Sequence, residues 1–227
     1  QLTNNKKLSA SGLLITLGII FGDIGTSPLY VIKAIVGNQP INRELILGAL
    51  SCIFWTLIII TTFKYIILAL KADNNGEGGI FSLYALVKKH PAKWPLIAAL
   101  IGCSALLADG FITPPISISS AIEGLNIIYP KLPTIPIVLT ILFLLFIFQQ
   151  FGTSIIGKTF GPIMFLWFTV IGILGLIKVI EYPFIFSALN PYYAFQLLFN
   201  HPGGFWILGA IFLCTTGAEA LYADLGH

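Results

Sequence analysis

Charge is what this sequence has least of. Asp, Glu, Lys and Arg make up 9% of 227 residues, 57% are hydrophobic and the mean hydropathy is +0.94. Soluble domains carry about 25% charged residues, so the scarcity excludes a water-solvated globule and makes lipid the solvent. The net charge of +3 comes from bases scattered along the chain, which excludes a nucleic-acid surface. Cys52, Cys103 and Cys214 lie far apart inside apolar runs without neighbouring His, excluding a disulfide framework or a metal site. Lys6 and Lys7 precede an apolar stretch, but no Ala-x-Ala cleavage pattern follows, so residues 6–20 read as part of a mature membrane helix and not as a signal peptide. Heptads and low-complexity tracts are missing. So are a nucleophile paired with a base, a phosphate loop and a His-based metal motif, and the chain does not read as an enzyme.

What is present is a series of apolar runs of about 20 residues separated by short polar links, the pattern of an all-α integral membrane protein. Six segments are expected, at 10–36, 45–70, 95–127, 133–151, 160–180 and 204–227. With a cytoplasmic N-terminus, Lys6, Lys7, Lys64, Lys71, Lys88, Lys89, Lys93 and Lys158 fall inside, while Lys33, Arg43, Lys131 and Lys178 fall outside. That bias follows the positive-inside rule. Two links are long enough for structure of their own. The inner one, Lys71 to Lys93, predicts a short amphipathic helix after Gly76-Glu77-Gly78-Gly79; the outer one, 183–203, predicts a turn at Asn190-Pro191-Tyr192-Tyr193 and then an interfacial helix.

Five acids, Asp23, Asp109, Glu123, Glu219 and Asp224, sit inside these apolar segments. An ionisable group at membrane depth costs about 2.5–3.5 kcal/mol on insertion scales and therefore faces a cavity, a partner or an ion. The lysines lie near segment ends, where they can snorkel, so the expected neutralisers are protons and inorganic cations. Asp23 lies in Gly22-Asp23-Ile24-Gly25-Thr26-Ser27-Pro28, and Glu219 follows Thr215-Thr216-Gly217-Ala218. Both stretches suit a broken helix, because Pro28 cannot donate to the Ile24 carbonyl and glycine loosens the backbone. Freed carbonyls and the hydroxyls of Thr26, Ser27, Thr215 and Thr216 are then expected as oxygen ligands for a hard monovalent cation. In the third segment Asp109, Thr113 and Ser117 recur every four residues, with Ser120 a turn further on, and would line one helix face that the pair Pro114-Pro115 makes irregular. Glu123 and Asp224 lie further from the breaks and read as structural or gating groups. Tyr30, seven residues after Asp23, reads as packing or as an ion contact.

These stretches, together with Asn75-Gly76-Glu77-Gly78-Gly79, Phe151-Gly152-Thr153, Asn190-Pro191-Tyr192-Tyr193 and Thr216-Gly217-Ala218-Glu219-Ala220-Leu221-Tyr222-Ala223-Asp224, resemble signatures of the KUP/HAK/KT family of potassium transporters, in family order over nearly the whole chain. The resemblance implies a LeuT-like inverted-repeat transporter fold of the amino acid-polyamine-cation superfamily. The chain would hold the first repeat and the start of the second, with helices 1 and 6 broken and the rest of the second repeat and any C-terminal cytosolic domain absent. It further implies secondary active K+ uptake by K+/H+ symport with alternating access, without a cofactor, in a plasma membrane of bacterial type and with a homodimer as the oligomer to test. By the same likeness Asp23, Tyr30, Thr113, Ser117 and Thr216 match K+-binding positions, Asp109 a position on the cation path and Glu219 the proton-coupling acid. Ala108 and Pro115 depart from the residues most frequent in the family at those places.

Two other classes remain open to the sequence. An amino-acid carrier of the same fold should present free N–H groups at the first break, where the negative Asp23 stands instead; a polyamine carrier fits that charge better. A channel-like K+-binding subunit would not couple to protons, although no Thr-Val-Gly-Tyr-Gly filter is present.

Overall fold

The computed structural model describes residues 17–18, 21–37, 40–72, 74, 76–88, 93–150, 153–201 and 203–223. Lys6, Lys7, Lys89, His90, Phe151, Gly152, Asp224 and His227 lie outside them. Regular structure among the described residues is helical apart from one isolated bridge between Asn74 and Glu77. Among the described residues three helices are long and apolar enough to cross a membrane: Arg43–Lys71, Trp94–Leu125 and Thr159–Glu181, of 29, 32 and 23 residues. At 1.5 Å per residue each exceeds the roughly 30 Å hydrocarbon core.

The first segment is helical at 21–26, turns at Ser27 and restarts as α1 (Pro28–Val36). Helix α2 (Arg43–Thr56) begins at Asn42, whose Oδ1 accepts the Leu45 N–H at 2.7 Å, satisfying one of the donors a helix start leaves unpaired. It continues as a wide, π-type stretch, Leu57–Leu68, and ends in a tight turn at Ala69–Lys71. The inner link forms α3 (Ile80–Val87), close to the apolar spacing that predicted it. Helix α4 (Trp94–Leu125) runs unbroken through Pro114 and Pro115. That corrects the expected irregularity: the two rings remove N–H groups from adjacent positions within a 32-residue helix, and the turns on both sides keep it going.

Helix α5 (Thr134–Gln149), α6 (Thr153–Glu181, with Pro162 inside), a 3-10 turn (Pro183–Leu189) and α7 (Tyr192–Asn200) follow. The last segment is α8 (Gly204–Phe212), a 3-10 turn (Leu213–Thr215), a four-residue turn and α9 (Ala220–Ala223).

Helix α7 is clamped onto α2 by side chains that reach its entry turn and first residues. Ser51 Oγ donates to the Asn190 carbonyl at 3.0 Å, Trp55 Nε1 to the Leu189 carbonyl at 3.1 Å and the Cys52 thiol to the Ala194 carbonyl at 3.7 Å. Gly48 permits this approach, since a Cβ there would stand 2.7 Å from Leu197 Cβ. The buried core lies between α1, α2, α7 and α8 and includes Val31, Ile35, Leu45, Ala49, Leu197, Ile207 and Ile211. Large apolar side chains of α5 and α6, such as Phe143, Phe146, Leu166 and Ile180, point outward, as lipid-facing positions do.

Candidate cation site

The site is assembled from two interruptions laid side by side. At the first, Ser27 keeps helical dihedrals (φ −53°, ψ −38°) and marks a one-residue turn: its N–H donates to the Ile24 carbonyl at 3.3 Å, and its own carbonyl accepts the N–H groups of Tyr30 at 3.2 Å and Val31 at 3.0 Å. Its hydroxyl lies 3.2 Å from the Tyr30 hydroxyl, and both residues are buried. The bond between Ser27 N–H and the Ile24 carbonyl replaces the one that Pro28 cannot make.

This arrangement corrects one expectation. The carbonyls before the break are not left free: Asp23 O accepts from Thr26 Oγ1 at 2.9 Å, Ile24 O from Ser27 N and Gly25 O from Trp167 Nε1 at 2.7 Å. A backbone carbonyl at membrane depth recruits whatever donor is within reach, here a hydroxyl, an amide and an indole. What the first break leaves to a cation is chiefly side-chain oxygen.

At the second break Thr216 is extended, with φ −54° and ψ 132°, and Gly217 adopts φ +87°. The chain doubles back through bonds from Thr216 N to Leu213 O, Ala218 N to Thr215 O and Ala220 N to Gly217 O. Gly217 faces Asp23 directly; a Cβ on it would lie 2.8 Å from Asp23 Cβ and 2.9 Å from its Oδ2. Thr216 lies near the Tyr30 hydroxyl. The two interruptions thus touch through Asp23 and Gly217, with Thr216 near Tyr30.

Helix α4 supplies the third wall. Thr113 Oγ1 donates to Asp109 Oδ1 at 2.9 Å, the one-turn contact that their spacing predicts, and Ser117 Oγ lies 3.3 Å from Thr26 Oγ1 at the first break. Asp23, Asp109 and Glu219 feel one another electrostatically, Asp23 with each of the others and Asp109 with Glu219. Their carboxylates do not converge into a cage of the kind a multivalent metal would use, among the described residues. Of the sequence candidates, Asp23 and Ser117 contact neighbouring segments at the breaks, Thr113 is bonded to Asp109 on its own helix, and Asp109 and Glu219 are within electrostatic reach of Asp23.

Glu123 is different. Its Oε2 pairs with Lys33 Nζ, at the far ends of α4 and α1, with both side chains substantially exposed. Lys64, on the π-type stretch of α2, also lies within electrostatic reach of Glu219. The expectation that protons and cations alone neutralise the acids is therefore corrected: a snorkelling lysine can turn its ammonium onto a carboxylate within its reach. Exposed pairs contribute about 0–1 kcal/mol, so Glu123→Gln should leave the apparent Rb+ affinity of the full-length protein within about twofold of wild type, read from the concentration dependence of uptake. Sequence reasoning passed over Trp167 and gave Gly217 only its flexibility. A lone indole inside an apolar run was the signal for the first, and the positive φ was not legible in the second.

Comparison with known proteins places this geometry in context. The family model described as "K+ potassium transporter integral membrane domain" matches residues 10–227. A protein of Flavobacterium johnsoniae named "Probable potassium transport system protein Kup" is 61% identical over 226 residues, covering 98% of this chain and 34% of that relative. Proteins of the same name from Cytophaga hutchinsonii and Enterococcus faecalis are 59% and 53% identical over 98–99% of this chain and 35–36% of their own length. The chain spans about a third of the length of the curated relatives it matches. No solved structure matches.

Proposed function

This chain belongs to the K+ potassium transporter family, and on that premise we propose that it is the cation-binding part of a potassium uptake carrier in the plasma membrane. The observation that supports the reading is the contact of the two helix breaks at Asp23 and Gly217, with Ser117 beside Thr26 at the first break and Asp109 within electrostatic reach of Asp23. An unprotonated carboxylate ringed by hydroxyls suits a dehydrated monovalent cation, because the oxygens replace water ligands and the charge offsets the desolvation cost. Asp23 supplies the charge, and Tyr30, Thr113, Ser117 and Thr216 supply neutral oxygen. No residue is assigned a catalytic role.

In this reading the chain contributes the first of two inverted repeats and the start of the second, as the LeuT-like resemblance implies, with its N-terminus in the cytoplasm. Six membrane segments then run from residue 10 to residue 227, α5 and α8 being the shorter of them. Glu219 follows the second break and feels both Asp109 and Lys64, so its proton and a cation at Asp23 act on each other through space. K+ entry favours one protonation state of Glu219 and its release the other, and movement of the broken helices against the remaining bundle alternates access. Proton coupling thereby needs no cofactor.

The deciding experiment is Rb+ uptake by the full-length protein in sealed liposomes with and without an inward proton gradient. Gradient-stimulated uptake in wild type, and in Glu219→Gln a loss of about tenfold or more of that stimulation, is the expected result. Gradient-independent flux that reverses at the K+ equilibrium potential would replace symport by a channel-like conduit. Uptake of a labelled polyamine in the same liposomes, with no Rb+ uptake, would replace the substrate.

A further inference from the structure

The short helix before the first break is gripped from one side by α6. Phe21 meets Phe168 edge-on, with 6.4 Å between ring centroids and 83° between their planes. Over Gly25 the space is filled, since a Cβ there would stand 2.5 Å from Met164 Cε and 2.8 Å from Phe168 Cζ. Between these contacts Trp167 Nε1 donates to the Gly25 carbonyl at 2.7 Å. Among the carbonyls of Asp23, Ile24 and Gly25, those of Asp23 and Ile24 are satisfied within their own segment, by Thr26 and Ser27. Only Gly25 O is satisfied by another helix.

We infer that Trp167 is a positioning residue for cation binding: its indole N–H, by fixing the Gly25 carbonyl, sets the orientation of the peptides that present Asp23 to the second break. The inference rests on the reading in which Asp23 holds the cation. Met164 and Phe168 crowd Gly25 but are apolar and set no peptide orientation. A hydrogen bond does, because it has a direction as well as a distance. With the N–H removed, the Gly25 carbonyl is left to find a donor elsewhere, and the two-residue link back to Asp23 turns with it. Asp23 has little room for that, being held against Gly217. The effect should therefore fall on cation affinity and not on the rate of the transport cycle.

The test compares wild type, Trp167→Phe and Trp167→His in the full-length protein. Phenylalanine keeps more apolar bulk but has no donor. Histidine loses the benzo ring but keeps an N–H at the same place in the five-membered ring. Rb+ uptake in liposomes gives KM and kcat, and amide hydrogen exchange over residues 21–30, in ion-free buffer, reports the break without any transport. Trp167→Phe is expected to raise KM by about fivefold or more with kcat within about twofold, and to speed exchange over 21–30; Trp167→His is expected to restore both to within about twofold. A packing role predicts the reverse order, with histidine worse than phenylalanine, and that order overturns the inference. So does unchanged exchange in Trp167→Phe. If wild type shows no saturable Rb+ uptake, the cation reading fails by itself, while the exchange comparison still decides whether Trp167 holds the break.

Discussion

Asp23→Asn in the full-length protein should abolish saturable Rb+ uptake while leaving the amount of protein in the membrane unchanged. Asparagine has the size of aspartate and differs at this position in charge. The carboxylate lies half-buried against Gly217, within electrostatic reach of Asp109 and Glu219. Unit charges 4 Å apart attract by about 4 kcal/mol at an effective dielectric of about 20. Forfeiting even half of that lowers cation affinity by more than about tenfold. Stability should move the other way. The three acids repel one another when no cation is present, so thermal unfolding of Asp23→Asn in K+-free buffer should occur at the same temperature as wild type or higher. Added K+ should then stabilise wild type and not the variant. Retained saturable uptake with wild-type KM would remove Asp23 from the site.

Gly217→Ala is expected to have an effect as large for a different reason. At φ +87° an added Cβ meets the following carbonyl, which costs roughly 1–2 kcal/mol. The same Cβ would stand 2.8 Å from Asp23 Cβ, and overpacking of that kind costs typically about 1–3 kcal/mol. The two penalties can be relieved together only by separating the breaks. Uptake should fall to about a tenth of wild type or less, with a lower unfolding temperature. Gly172→Ala is the control, because Gly172 lies in α6 with nothing within 4 Å of its would-be Cβ and no positive φ. Equal behaviour of the two variants would show that the contact between Gly217 and Asp23 does not matter.

These expectations divide by how much of their basis could be read from the chain. The three long spans, the helix at Ile80–Val87, the helix following Asn190-Pro191 and the one-turn step from Asp109 to Thr113 were legible. Each depends on apolar run length, on proline and glycine punctuation or on helical periodicity, which are local properties. The interruption at Ser27 was legible for the same reason, since Pro28 carries its consequence in its own ring. Lys33 was misjudged because its flexible side chain finds Glu123 ninety residues away. Which donor a freed carbonyl takes was equally hidden, because Trp167 is 142 residues from Gly25.

The sequence alone settles the solvent and the helical class, and it nominates the residues proposed to hold a cation. An ionisable group inside an apolar run has so few acceptable environments that its type and depth nearly define its role. Tertiary structure decides which of those residues meet. It sets Asp23 against Gly217, brings Thr26 to Ser117 and caps Gly25 with Trp167, while Glu123 goes to an exposed pair away from the site. Contacts between distant segments follow from how closely packed helices fit together, and in lipid that fit depends on side-chain shape and hydrogen bonds that no local pattern records.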